Sequence, residues 1–224
     1  MTFLVTKRWQ SAYPAAHAGF LALDGVVNPT QHPELERAKR ELEENLRARW
    51  AGHDRKSLER EPVLAAYAAY YRPFQKSYHV RAQLESVAFK GKALPGVAAL
   101  VEAMFMAELK NGLLTAGHDL DRLNRPVTVD VADGTETYTV LRGQVQPLKA
   151  GDMFMADQDG VISSVLYGPD QRTAISAETT RALFAVYAPA GIQASQVEAH
   201  LGAIADLVRL VAPGATTVSS VVLG

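Results

Sequence analysis

The sequence predicts an α+β fold in which a helical first half packs on a mostly antiparallel β-structure. Apolar residues recur at intervals of three and four in the stretches 32–50 and 97–109, whereas Val127, Val129 and Val131 alternate with Thr128 and Asp130. Turn pairs such as Asp133-Gly134, Asp159-Gly160 and Gly168-Pro169 also crowd the second half, as closely spaced strands require. Helices followed by strands point to segregated layers and against a doubly wound parallel sheet.

Taken in order, residues 3–9 read as a strand and 19–27 as a second, with Asp24-Gly25 as a turn. Residues 32–50 form a charged amphipathic helix with Leu35, Ala38, Leu42, Leu46 and Trp50 on one face. Glu36 with Arg40, and Glu43 with Arg47, stand one turn apart, so this is a solvated face with no basic patch. Pro62 opens a second helix that ends at Pro73. Its Tyr67, Tyr70 and Tyr71 sit among alanines and belong in a core or an interface. A third helix spans 81–89, with Leu84, Val87 and Ala88 buried.

The central helix follows Pro95-Gly96 and stops at Asn111-Gly112. Val97, Leu100, Val101, Met104, Phe105 and Leu109 make one broad buried stripe along it. It hands over to a short loop that presents His118, Asp119 and Asp121. Val127, Val129 and Val131 then alternate with polar residues as a half-buried strand, which Asp133-Gly134 turns into a returning strand at 137–141. Further strands are expected at 153–156, 161–166 and 181–187, a helix at 193–211 and a closing strand at 215–223.

A chain of 224 residues can bury one good core, and one domain over 1–224 is expected. A net charge of −1 argues against strong non-specific affinity for nucleic acid, although it leaves room for a local basic face. The absence of cysteine excludes disulfides, thiolate catalysis and thiolate zinc sites. Lys7 and Arg8 interrupt the apolar start, so no signal peptide is read there. No apolar run approaches the roughly 20 residues of a membrane span. The expectation is a cytoplasmic protein with neither a membrane nor DNA as partner and with no cofactor.

Phosphate loops, nucleophile elbows and zinc-protease helices are all missing. The best local cluster is Gly117-His118-Asp119-Leu120-Asp121, where an imidazole beside two carboxylates suits a general base or a metal ligand set. The plainer reading makes Asp119 or Asp121 the cap of a short helical turn. Glu136, in the turn after Gly134, matters only if its strand faces the His118 loop. Asp157 to Gly160 starts like a calcium loop but lacks the later ligands, and reads as a hairpin turn.

An ordered series of pieces carries more information than any one motif. Tyr71-Arg72, Arg81 with Leu84-Glu85, Lys90-Gly91-Lys92 with Leu94-Pro95, Leu100-Val101-Glu102, and Gly117 to Asp121 with Leu123 follow one another. Ala132 to Glu136, Leu141 with Gly143, Ala156-Asp157, Gly160, and Ile175-Ser176 with Thr179 continue the series. Over residues 60–190 the chain resembles the B3/B4 domain, the editing module of the phenylalanyl-tRNA synthetase β subunit, which also occurs as free-standing proteins. The resemblance implies an α+β body with a pocket between its B3 and B4 parts, where the synthetase hydrolyses tyrosine wrongly esterified to its tRNA. It implies that Glu136 lies near the amino acid and that His118 or Asp119 orients water. Arg172 and Thr173 would line the rim, and Arg81, Thr115, Asp121 and Asp157 would contact substrate. Two departures stand out. The synthetase histidine three residues before the aspartate is Ala116 here, the histidine being His118, and an asparagine of its central helix is replaced around Phe105.

Three readings follow. The first is a free-standing protein that binds aminoacyl-tRNA and hydrolyses mischarged esters in trans, with His118, Asp119 and Glu136 as catalytic residues. The second is a module that binds tRNA or a free amino acid without chemistry. The third is an unrelated hydrolase with a metal on His118, Asp119 and Asp121.

Overall fold

A computed structural model describes residues 2–224. The chain begins with β1 (Phe3–Val5), α1 (Lys7–Ala12) and β2 (His17–Asp24). A helical stretch follows: α2 (Pro33–Arg49), α3 (Arg55–Glu59), α4 (Pro62–Tyr71), α5 (His79–Ala88) and α6 (Ala99–Asn111). The β-rich part holds β3 (Thr115–Asp119), β4 (Val127–Val131), β5 (Thr137–Thr139), β6 (Val145–Pro147), β7 (Met153–Asp157), β8 (Gly160–Ser164), β9 (Gly168–Pro169) and β10 (Arg181–Ala188). Last come α7 (Ala194–Val211) and β11 (Thr216–Leu223). The α+β class stands, and no helix of the described residues is long and apolar enough to cross a membrane.

Three sheets form. The larger two run β1-β4-β7-β8-β9 and β11-β2-β10-β3, and β5 pairs with β6. All pairings are antiparallel except β1 with β4, which is parallel. The larger sheets face each other: Phe3 stacks on Phe20 at 4.2 Å, and the Ser163 and Tyr187 hydroxyls meet at 2.6 Å. Alternation along β2 turns Gly19 to the other face, where α7 packs. A Cβ at Gly19 would lie 2.4 Å from Val197, so glycine there lets helix and sheet close.

The helical half is tied to the sheets by tyrosine hydroxyls. Tyr67 donates to the Tyr187 carbonyl at 2.6 Å and accepts from Leu114 N–H at 2.9 Å. Tyr70 donates to Asp152 and accepts from Met153 N–H, and Tyr71 donates to the Val165 carbonyl. All three rings are buried, as the alanine-rich helix predicts. A ring carrying one polar atom brings large apolar area and still satisfies strand groups that would otherwise be buried without partners.

α6 is held at both ends. Asn28 accepts from Leu100 N–H, the Glu102 carboxylate accepts from Val97 N–H and pairs with Lys39, and Gly112 caps the far end in the left-handed region.

Three local expectations change. The strand at 3–9 breaks at Thr6, whose hydroxyl accepts from Trp9 N–H and caps α1. The loop expected before His118 is the strand β3, paired along its length with β10 and buried at every position. Burial on both faces removes the alternation by which a strand is read. β4 does not return on 137–141; it pairs with β7 and β1, and β5 takes β6 instead. Bonds from Ala132 N–H to Asp152 O and from Gly151 N–H to Ala132 O bind the end of β4 to β7. Asp157 to Gly160 is the two-residue hairpin turn expected.

Candidate functional site

The free edge of β3 borders a cavity lined largely by apolar side chains. Thr115 N–H bonds to Glu108 Oε1 at 2.7 Å and Asp119 N–H to Thr173 O at 2.7 Å, so both point away from β10. By strand alternation Gly117, between them, turns its N–H and carbonyl the same way. The cavity, of about 360 Å³, lies between this edge, α6 and the segment from Ser164 to Pro169. Met104, Phe105 and Ile175 give it an apolar wall, and Tyr187, Ser164 and His79 add polar groups. Gly117 suits the place because a Cβ there would come within 2.8 Å of Ile175 Cδ1. The β9 segment is fixed by Tyr138, which donates to Gly168 O at 2.7 Å.

Glu108 is the unusual residue of this cavity. It is 1% exposed, its Oε1 is occupied by Thr115, and its Oε2 has no partner among the described residues. Burial pushes its pKa up to about 8, against the opposing pull of the Thr115 N–H. At neutral pH it is therefore mainly a carboxylic acid, able to donate as well as accept. Thr115 is braced from behind by His200, whose Nε2 is 2.7 Å from the threonine hydroxyl and whose Nδ1 is 3.1 Å from Asn111. Burial drives the His200 pKa down to about 3, so the brace stays neutral.

His79, the first residue of α5, stands at the cavity mouth and is exposed to solvent. The protein packed around it lowers its pKa from the ordinary value, which leaves the imidazole neutral at pH 7 with a free lone pair.

Residues 65–207 match the B3/4 domain, which is more than half of the chain. The chain belongs to the B3/4 domain family. Every cavity residue falls inside that span. The fold is similar to an N-terminal fragment of the phenylalanyl-tRNA synthetase β-subunit from Pyrococcus horikoshii, with a TM-score of 0.54 and 10% sequence identity. That match covers 100% of this chain and 54% of the other, so the chain spans about half the length of the synthetase fragment. No curated protein matches it by sequence.

Within this B3/4 domain, Thr115 alone of the residues expected at the site lines the cavity. His118 is fully buried, with Nδ1 2.7 Å from the Thr173 hydroxyl. Thr173 in turn donates to Asp170, so its oxygen accepts from His118 Nδ1–H and leaves Nε2 bare and unpartnered. Burial takes the His118 pKa to about 3. Asp119 accepts from the Thr179 hydroxyl at 2.8 Å and from Asp121 N–H at 3.0 Å, capping the short turn at residues 120–122. Asp121 pairs with Arg181 at 2.8 Å. Arg172 grips Asp157 in a bidentate pair at 2.7 and 3.0 Å and reaches toward Asp170.

The structure thus brings His118, Thr173, Arg172 and Asp157, through Asp170, into one network at the Asp119 end of β3, outside the cavity. It leaves Glu136 out. The Glu136 carboxylate accepts from Asp133 and Gly134 N–H and lies 3.8 Å from Arg8, so it holds a turn. Arg81 is also occupied elsewhere, by Glu59 at 3.4 Å and Glu85 at 3.9 Å. His118, Asp119 and Asp121 turn to three separate partners, and no group of three histidine or acidic side chains among the described residues is arranged to hold a metal.

The residues that sequence reasoning missed are Glu108 and His79. A signal for Glu108 existed: it falls one turn after Met104, on the apolar stripe of α6, where an acid needs a reason. His79 gave none.

Proposed function

We propose that this protein binds the aminoacyl end of a tRNA and hydrolyses mischarged aminoacyl esters in trans. One observation carries the reading. The cavity on the β3 edge has an apolar wall, Glu108 in its lining with a buried carboxyl oxygen that lacks a partner, and at its mouth an imidazole whose pKa is lowered by the protein around it. An amino acid side chain fills the apolar part, and a hydroxyl on that side chain meets Glu108 Oε2. A buried polar atom without a partner costs about 1–3 kcal/mol, so a ligand that pairs with it gains over its deoxy analogue.

With the side chain inside, the ester carbonyl lies at the mouth near His79. Imidazole takes a proton from a water whose oxygen attacks the carbonyl carbon. The negative charge that develops on the carbonyl oxygen is met by the Gly117 N–H. The ester C–O bond then breaks, the ribose oxygen takes the proton back from the imidazolium, and free amino acid and uncharged tRNA leave. General acid–base help of this kind is worth roughly 10²–10⁴-fold in rate. The likeness to a synthetase fragment supports tRNA as the carrier of the ester.

The test is a deacylation panel: tRNAs charged with many different amino acids, incubated with native protein and with Glu108→Gln. Release confined to a few amino acids, with the choice among hydroxylated and non-hydroxylated ones altered in the variant, is expected. Release from none of them would overturn the hydrolytic reading. A binding module without chemistry is the second reading, favoured by the placement of His118 outside the cavity. It predicts saturable binding on the same panel with no release.

A further inference from the structure

The helical layer has a groove of its own, of about 510 Å³, with α2 and α7 as walls and α6 as floor. α6 turns Met104, Phe105 and Glu108 to the cavity and Met106 and Lys110 to the groove, so the two lie on opposite faces of one helix. Leu42, Met106, Leu207 and Leu210 make the groove apolar, and Leu210 is 37% exposed. Gly202 lies on the groove within α7, and a Cβ there would meet nothing within 4 Å. Crowding inside the chain therefore does not call for glycine, which costs a helix interior about 1 kcal/mol relative to alanine. What glycine does give is room for another backbone to come close.

The charges along the groove are unsatisfied as well. Glu41 on α2 and Lys110 on α6 are exposed and line it, yet neither forms an ion pair among the described residues. The third charged group of the lining, Asp206, is held by Arg209 at 3.7 Å. Opposite charges that share a groove without meeting suit a two-fold interface, where residue i of one copy meets residue j of the other and j meets i.

We propose that the groove receives α7 of a second copy of this chain, in a two-fold dimer whose α7 helices come closest at Gly202 and in which Glu41 of each copy pairs with Lys110 of the other. A helix of any protein could cover the apolar walls. A second copy supplies everything the groove lacks: apolar knobs in Leu207 and Leu210, and one unpaired charge of each sign. The cavity, on the other face of α6, stays open in such a dimer.

The experiment is sedimentation equilibrium over a wide range of concentration, with native protein, Gly202→Leu, Glu41→Lys, Lys110→Glu and the double reversal. Circular dichroism confirms that each variant is folded. Native protein is expected to approach twice the chain mass as concentration rises. Gly202→Leu, whose Cβ has open space within its own chain, fills the groove and stays at the chain mass. Each single reversal sets like charges together twice in the dimer and weakens association by about tenfold or more, and the double reversal restores it. Native protein at the chain mass throughout would overturn the proposal and leave the groove to a helix of another protein. A dimer that Gly202→Leu leaves intact, or that neither reversal weakens, would overturn it too.

Discussion

Glu108 shows how much one residue can alter the character of a cavity. Its folded pKa is about 8, while the same carboxyl in an unfolded chain titrates near 4.5. Between those values the folded state keeps a proton that the unfolded state gives up. The stabilising part of this linkage is fully present below pH 4.5 and is lost as pH rises toward 8, with a limiting slope of about 1.4 kcal/mol per pH unit. Glu108→Gln removes the titration and preserves an acceptor for Thr115 N–H. Denaturant unfolding at pH 5 and pH 8 is therefore expected to show the variant gaining on the native protein as pH rises. Parallel pH profiles would mean that Glu108 is ionised in the folded protein.

At the scale of elements, the fold is held by contacts made at close quarters. Gly19→Ala puts a methyl against the β-branched Val197, which has little rotamer freedom to yield, and should destabilise by about 1–3 kcal/mol. Tyr67→Phe leaves Leu114 N–H and the Tyr187 carbonyl buried without their partner, at a cost of about 1–3 kcal/mol. Thermal unfolding checks both, and a melting temperature unchanged in either would show that the helical and sheet halves are joined in some other way. These elements also mark what a sequence can disclose. The period of three and four put α2, α4, α5, α6 and α7 close to where they are, because each buries one stripe against a sheet or a neighbour. β3 was hidden, since a strand buried on both faces has no alternation and Thr115 to Asp119 has little β-branched character. The partner of β4 was hidden too. Pairing across more than twenty residues is decided by tertiary bonds such as Ala132 to Asp152, and the Asp133-Gly134 turn looked like a sufficient reason for a local hairpin.

For the whole molecule, the order of short pieces along the chain was legible as a family resemblance, and the fold bears that out. The site was not legible in the same way. His118 and Asp119 are adjacent in sequence, yet they sit on a strand that directs them into a supporting network, while the cavity is built from α5, α6, the β3 edge and the β8–β9 connection. Charge behaves likewise. A net charge near zero conceals a basic stretch at residues 72–92, from which Lys76 reaches the ring of Tyr167, a cavity residue. If that stretch holds a tRNA end, log affinity should fall with log salt by roughly 0.7 per phosphate contacted, and Lys92→Glu should flatten the line. A salt-independent affinity would point to a small ligand in place of RNA.

Hydrolysis at the cavity mouth is tested most directly by the rate of amino acid release from misacylated tRNA at pH 7, with native protein and with His79→Ala. The expected result is release well above the uncatalysed rate for at least one amino acid, reduced roughly 10²–10⁴-fold in the variant, which is substituted at an exposed position. Equal rates for native protein, His79→Ala and buffer across the panel would contradict it.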